Sequence, residues 1–114
     1  MKQIEVLNAY RILGESKMTT LDVGEIIKVV KIRKALRSIA ESLEAFMKDI
    51  QEKAALWESM SEKQRLELNN AVNDELLKEV EIEFEKLSEE SIAKLIQENG
   101  FKTKEIDFIC HVMI

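Results

Sequence analysis

The sequence contains no proline and only three glycines among its 114 residues. An all-β fold built on tight turns needs such residues at regular intervals, so that class is excluded. Aromatic residues make up 5% of the chain, too few for a base-stacking platform or an aromatic ligand pocket. A single cysteine, Cys110, rules out an intrachain disulfide framework and fits a reducing cytosol. The single histidine, His111, stands next to it, and one Cys with one His cannot complete a structural zinc site. Gly14, Gly24 and Gly100 are isolated, so there is no glycine-rich phosphate loop, and no aspartate-rich calcium loop occurs. No apolar run approaches the roughly 18 residues that suggest a membrane span. The opening residues, MKQIEVLNAYRILGES, mix charged with apolar positions and lack a signal-peptide core. These absences lead to the expectation of a cytoplasmic, non-enzymatic protein with no cofactor, no metal and no membrane partner.

What the chain does have is a long periodic stretch, residues 21–57. Val29, Ile32, Leu36, Ile39, Leu43, Phe46, Ile50 and Trp57 follow alternating three- and four-residue steps, interrupted only at Lys53. Such a seam predicts a long helix committed to pairing with other helices, extended over about four heptads. At a helical rise of 1.5 Å per residue, the stretch is roughly 55 Å long. A second apolar row, Ile26, Val30, Ala40, Met47 and Ala54, runs beside the seam.

The flanking elements are shorter. Ile4, Leu7, Tyr10 and Leu13 predict an amphipathic helix over about 3–13, with Gly14 as its C-terminal cap. Asp22 and Glu25 have the spacing of a capping box at the start of the long helix, and Gly24 could admit close approach of the first helix. Ser61 and Gln64 form a second box, so a new helix starts there and reverses direction, over about 62–78. Asn69, Asn70 and Asn73 fall beside its apolar stripe, either as a solvated cluster or as buried register markers. The period then changes: Glu79-Val80-Glu81-Ile82-Glu83-Phe84-Glu85 alternates as a half-buried strand does. Ser88 to Ser91 opens a short helix that stops at Asn99-Gly100. The tail, 106–114, reads as a partner strand through Ile106, Phe108, Cys110, Val112 and Ile114. The alternative is a short helix on Ile106, Ile109, Cys110 and Met113. In a strand, Cys110 and His111 point to opposite faces and cannot form a nucleophile–base dyad, which leaves a packed thiol and an outward histidine.

Charge is distributed unevenly. Residues 1–37 carry a net +4, leaving −9 of the total −5 for the remainder. Lys28, Lys31, Arg33, Lys34 and Arg37 form a basic patch, which is the basis for the alternative function of a nucleic-acid-associated regulator. The acidic total and the absence of base-reading aromatics weigh against nucleic acid and favour contact with an acidic protein surface. The glutamates of 79–85 read as a solvated edge that discourages aggregation.

Leu7-Asn8-Ala9-Tyr10, followed by Leu13 and the helix from Ile26 to Phe46, resembles a family of small tailed-phage and prophage proteins of unknown function. The likeness covers about the first half of the chain. It implies a phage or prophage origin near virion-assembly genes, in the host cytosol or with the virion, and it carries no catalytic residues.

The expected architecture is a single, mainly α domain with a small β element. An N-terminal helix and connection (1–20) pack on a long antiparallel helical hairpin (21–78), followed by a strand–helix–strand unit (79–114). One short, Asn-rich partner helix cannot cover both apolar rows of the long helix. The seam is therefore expected to mediate self-association, most simply a C2 homodimer, with another phage or host protein as a further partner. The expected function is a structural or assembly protein.

Overall fold

The computed structural model describes residues 1–113, and the Met113 side chain and Ile114 lie outside that description. The chain is mainly α-helical. Its helices are α1 (Gln3–Glu15), α2 (Val23–Ala54), α3 (Glu62–Leu77), α4 (Glu89–Asn99) and α5 (Thr103–Met113), with a single 3-10 turn at Trp57–Ser59 between α2 and α3.

Local chemistry accounts for most of the boundaries. The Lys2 N–H donates to Glu5 Oε1 at 2.8 Å, satisfying a backbone donor that the helix itself leaves open. The helix runs through Gly14 and ends only at Glu15, where Ser16 turns extended, so Gly14 is not the cap. Asp22 occupies the N-cap position of α2, but its side chain makes no capping bond. Glu25 is engaged elsewhere, so the expected box does not form. A Cβ on Gly24 would meet nothing within 4 Å, so no helix approaches closely there. The Ser61 box does form: Gln64 N–H donates to Ser61 Oγ at 3.2 Å, and Ser61 N–H donates to Gln64 Oε1 at 3.0 Å. Ser88 Oγ likewise accepts from Ser91 N–H at 3.2 Å. α4 ends at Gly100, whose φ of 60° is left-handed and suits glycine.

One hydrophobic core joins α1, α2, α4 and α5. α1 contributes Val6, Leu7, Ala9 and Leu13, and α2 contributes Val29, Ile32, Leu36, Ala40 and Leu43. Leu87, Ile92, Leu95, Ile109 and Val112 close it from the C-terminal part of the chain. The α1–α2 pair is the most extensive helix packing, so the long helix is covered mainly by α1 and not by α3. α3 buries no residue fully and meets α1 near its C-terminal end, where Gln3 Nε2 donates to the Glu75 carbonyl at 2.8 Å and its carboxylate at 2.9 Å. The hairpin is thus present in the chain path, but its two arms are not each other's main partner.

The expected β element is absent: among the described residues there is no strand, only an isolated antiparallel bridge between Lys2 and Glu79. Residues 78–88 form an extended strap. Its alternation is real, since Val80, Ile82 and Phe84 lean on the core while Glu79, Glu81, Glu83 and Glu85 face outward. It pairs with the N-terminus: Val80 N–H donates to the Met1 carbonyl at 2.7 Å and Gln3 N–H to the Lys78 carbonyl at 3.0 Å.

The tail is helical up to Met113, which corrects the preferred strand reading of 106–113. Ile106, Ile109 and Val112 repeat at i, i+3, i+6, and Ile109 and Val112 are buried. A helix satisfies its own backbone groups, whereas a lone strand has to find a partner. Glu105 also reaches back to Lys102 N–H at 3.2 Å and caps the first turn. Cys110 is exposed, which the alternating pattern did not anticipate.

Candidate functional site

The eight seam residues divide into two groups. Val29, Ile32, Leu36 and Leu43 are buried, and Ile39 and Phe46 pack half-buried on the same core. These six are closed within the chain, so they do not present the continuous interface that the heptad pattern predicts. The reason is α1, whose four buried apolar side chains fill the groove a second chain would otherwise fill. Ile50 and Trp57 lie beyond that core and stay half-exposed.

Past Met47, α2, the turn and α3 form a distal arm with little cover. Ile50, Trp57, Met60, Leu68 and Val72 are only half-buried and do not join the core, while Leu56, Leu66 and Leu77 are more than half exposed. Asn69, Asn70 and Asn73 all face solvent, consistent with the solvated reading of that cluster. Arg65 fastens the tip: its Nε donates to the Trp57 carbonyl at 2.9 Å, and its guanidinium carbon sits 5.2 Å from the Trp57 ring centroid.

The basic patch does not stay together. Lys28 bridges Glu25 at 3.2 Å and Glu85 at 3.4 Å. Arg33 lies over Tyr10 and against Gly14. Only Lys31, Lys34 and Arg37 remain exposed with no ion pair within 4.0 Å among the described residues. Sequence spacing shows the Glu25 partner of Lys28, three residues before it, but neither Glu85 nor the hold of Tyr10 on Arg33, because those partners are distant along the chain.

Glu25 lies beside the start of α4, with Oε1 accepting from Lys28 Nζ at 3.2 Å and Oε2 buried without a hydrogen-bond partner among the described residues. The Ser91 side chain and then Lys28 hold its carboxyl below the usual carboxylate value, against the opposing effect of burial. In return Glu25 raises the Lys28 pKa. At the other end of α4, Glu98 accepts from the Thr19 N–H at 3.0 Å and from the hydroxyls of Thr19 and Thr20. Asn99 Oδ1 accepts from Lys17 N–H at 2.7 Å, so α4 clamps the connection between α1 and α2.

Reactive groups are dispersed. Cys110 and His111 are both exposed on α5, and His111 Nε2 is 3.7 Å from Glu5 Oε2. Among the described residues no group of three or more His, Cys, Asp or Glu side chains is arranged to hold a metal ion. Among the same residues no helix is long and apolar enough to cross a membrane. No protein-family model, curated protein or solved structure matches this chain.

Proposed function

We propose that this chain is a non-enzymatic structural or assembly protein of phage or prophage origin that works by helix-mediated self-association through its distal arm. The supporting observation is surplus surface. The chain exposes 7749 Å², whereas a compact monomer of its mass exposes about 6,400 Å². The difference, about 1,300 Å², exceeds the roughly 800 Å² that each partner contributes to a standard interface. Its radius of gyration, 17.0 Å, likewise exceeds the roughly 13 Å expected of a compact domain this long. The arm is where the shape departs from compactness, and it carries one of the two sets of apolar side chains that lack cover. Pairing two arms as a C2 dimer buries Ile50, Trp57, Leu68 and Val72 against their counterparts. The phage assignment rests on the resemblance at Leu7 to Tyr10 and the Lys-rich helix that follows.

Light scattering at micromolar concentration tests the reading. A dimer or larger species is expected, and Ile50→Glu with Leu68→Glu should convert it to a monomer with unchanged circular dichroism. These positions lie outside the core, so the fold survives the change. A wild-type protein that remains monomeric across that range removes the proposal.

A further inference from the structure

The first turns of α2 are apolar on both sides. Val29 and Ile32 point into the core, yet Val23, Ile27 and Val30 are 72%, 48% and 59% exposed. Glu25, Lys28 and Lys31 occupy one flank, but the outer apolar row lies on a helix whose inner face is already buried, so that row calls for a cover of its own. At 100° per residue Val23, Ile27, Val30, Lys34 and Arg37 share one face about 80° wide, with Lys31 along its edge. The stripe therefore reads apolar over its first two turns and cationic over the next two, across roughly 21 Å.

A second copy of this stripe is a poor cover for the first. Parallel pairing sets Lys31, Lys34 and Arg37 against themselves. Antiparallel pairing centred on Val30 sets Val23 against Arg37, and pairing centred on Arg37 sets Val30 against Glu44. The chain's own strap is also unsuitable, because its outward side chains are glutamates while its apolar ones face the core. It does show that this end of α2 accepts carboxylates, since Glu85 reaches Lys28 at 3.4 Å. Nucleic-acid phosphates match the cations but leave three apolar side chains uncovered.

From this complementarity we infer that the Val23–Arg37 face of α2 docks an acidic amphipathic helix of another protein. That helix lays two apolar turns on Val23, Ile27 and Val30 and sets carboxylates of the following turns against Lys31, Lys34 and Arg37. The contact is small, so it belongs to the weak, transient class, and its charges set orientation and encounter rate more than affinity. With the arm at the other end of α2, the molecule becomes an adaptor that pairs with itself and recruits a different protein.

The test is a heteronuclear NMR titration with a synthetic, side-chain-stapled peptide. It bears leucines at i, i+4 and i+7, followed by three glutamates over the next two turns. Saturable shifts confined to residues 23–37, weakening with salt, are expected. Lys31→Glu/Lys34→Glu/Arg37→Glu should lose about tenfold or more in affinity and recover it toward the same peptide with lysines in place of glutamates. Val23→Ser/Ile27→Ser/Val30→Ser should also lose binding. All six side chains are exposed, so the variants keep the fold. Using the monomeric arm variant separates this result from self-association. The inference is overturned by an absence of saturable shifts into the millimolar range. Retained binding in either triple variant overturns it too, as does preference for phosphatidylglycerol vesicles or a single-stranded oligonucleotide.

Discussion

The guanidinium of Arg33 lies 4.0 Å from the Tyr10 ring centroid, and its Nε donates to the Tyr10 carbonyl at 3.3 Å. The same guanidinium occupies the space that a side chain at Gly14 would need. One cation thus fastens α1 to α2 at two neighbouring turns, and its stem covers part of the joint. Arg33→Ala should cost about 1 kcal/mol in urea unfolding. Lys34→Ala and Arg37→Ala, both exposed, should stay within about 0.5 kcal/mol of wild type. Equal losses at all three would mean that Arg33 is only another surface charge.

Gly14 sharpens the same point. Alanine there gains up to about 1 kcal/mol of helix propensity but pushes aside the flexible end of Arg33. The two effects oppose, so Gly14→Ala alone should change stability little. In an Arg33→Ala background the conflict is gone, and the same substitution should stabilise by about 0.5–1 kcal/mol. The double-mutant cycle measures the coupling directly.

Large apolar side chains on α2 and α3 are not equivalent, although both helices carry an apolar stripe. Leu36 is fully buried between α1 and the rest of the core, and Leu36→Ala should cost about 2–5 kcal/mol. Leu66 on α3 is 60% exposed, and Leu66→Ser should cost under about 1 kcal/mol in the monomer. Thermal melts of the two variants at one low concentration give the comparison.

The sequence carried the helix positions well because caps and periodicity are local. Ser61 with Gln64, Ser88 with Ser91, and Gly100 each act within four residues and perform as their spacing implies. The strap and the tail depart from the strand pattern of their sequence because a strand is not a local object. Alternation from Glu79 to Glu85 correctly named the faces, but a ladder also needs a neighbour. The tail that could have supplied one forms its own hydrogen bonds as a helix. What covers the seam is not legible for a similar reason. The heptad row names the residues that want burial and is silent on whether α1 or another chain provides it. Lys28 is drawn from the basic patch by the neighbouring Glu25 and by Glu85, and Arg33 by Tyr10; only the last two partners are remote in sequence.

Acid should loosen the clamp between α4 and the α1–α2 connection. The Thr19 hydroxyl, followed by the backbone N–H groups of Thr19 and Thr20, holds the Glu98 carboxyl below its ordinary value of 4.5. A carboxyl depressed in the folded state contributes stability above its unfolded pKa and loses it as pH falls through the folded one. The Glu98 contribution is therefore present at neutral pH and disappears progressively below 4.5. Glu98→Gln should be less stable than wild type at pH 7 and should converge with it in strong acid. Parallel curves across the pH range would show that the carboxylate does not carry the clamp.

Local opening should separate the arm from the core. α3 has no fully buried residue, and Trp57, Met60, Leu68 and Val72 stand outside the main cluster, so little apolar burial resists fraying there. What holds the tip is directional: the Ser61–Gln64 box and Arg65, which spans from the Trp57 carbonyl to the Glu58 carbonyl at 3.3 Å. Replacing Arg65 by alanine removes both carbonyl contacts and the cation over the indole. Amide exchange in residues 62–72 should then accelerate by about tenfold, corresponding to roughly 1.4 kcal/mol. Protection at Leu7, Leu36 and Leu95 should be unchanged, because none of them relies on the tip. Trp57, the chain's only tryptophan, should report the same event as a red-shifted emission with the global melting temperature nearly constant. Exchange that rises uniformly through arm and core would show that the molecule opens as one cooperative unit and that the arm is not a separate, more labile element.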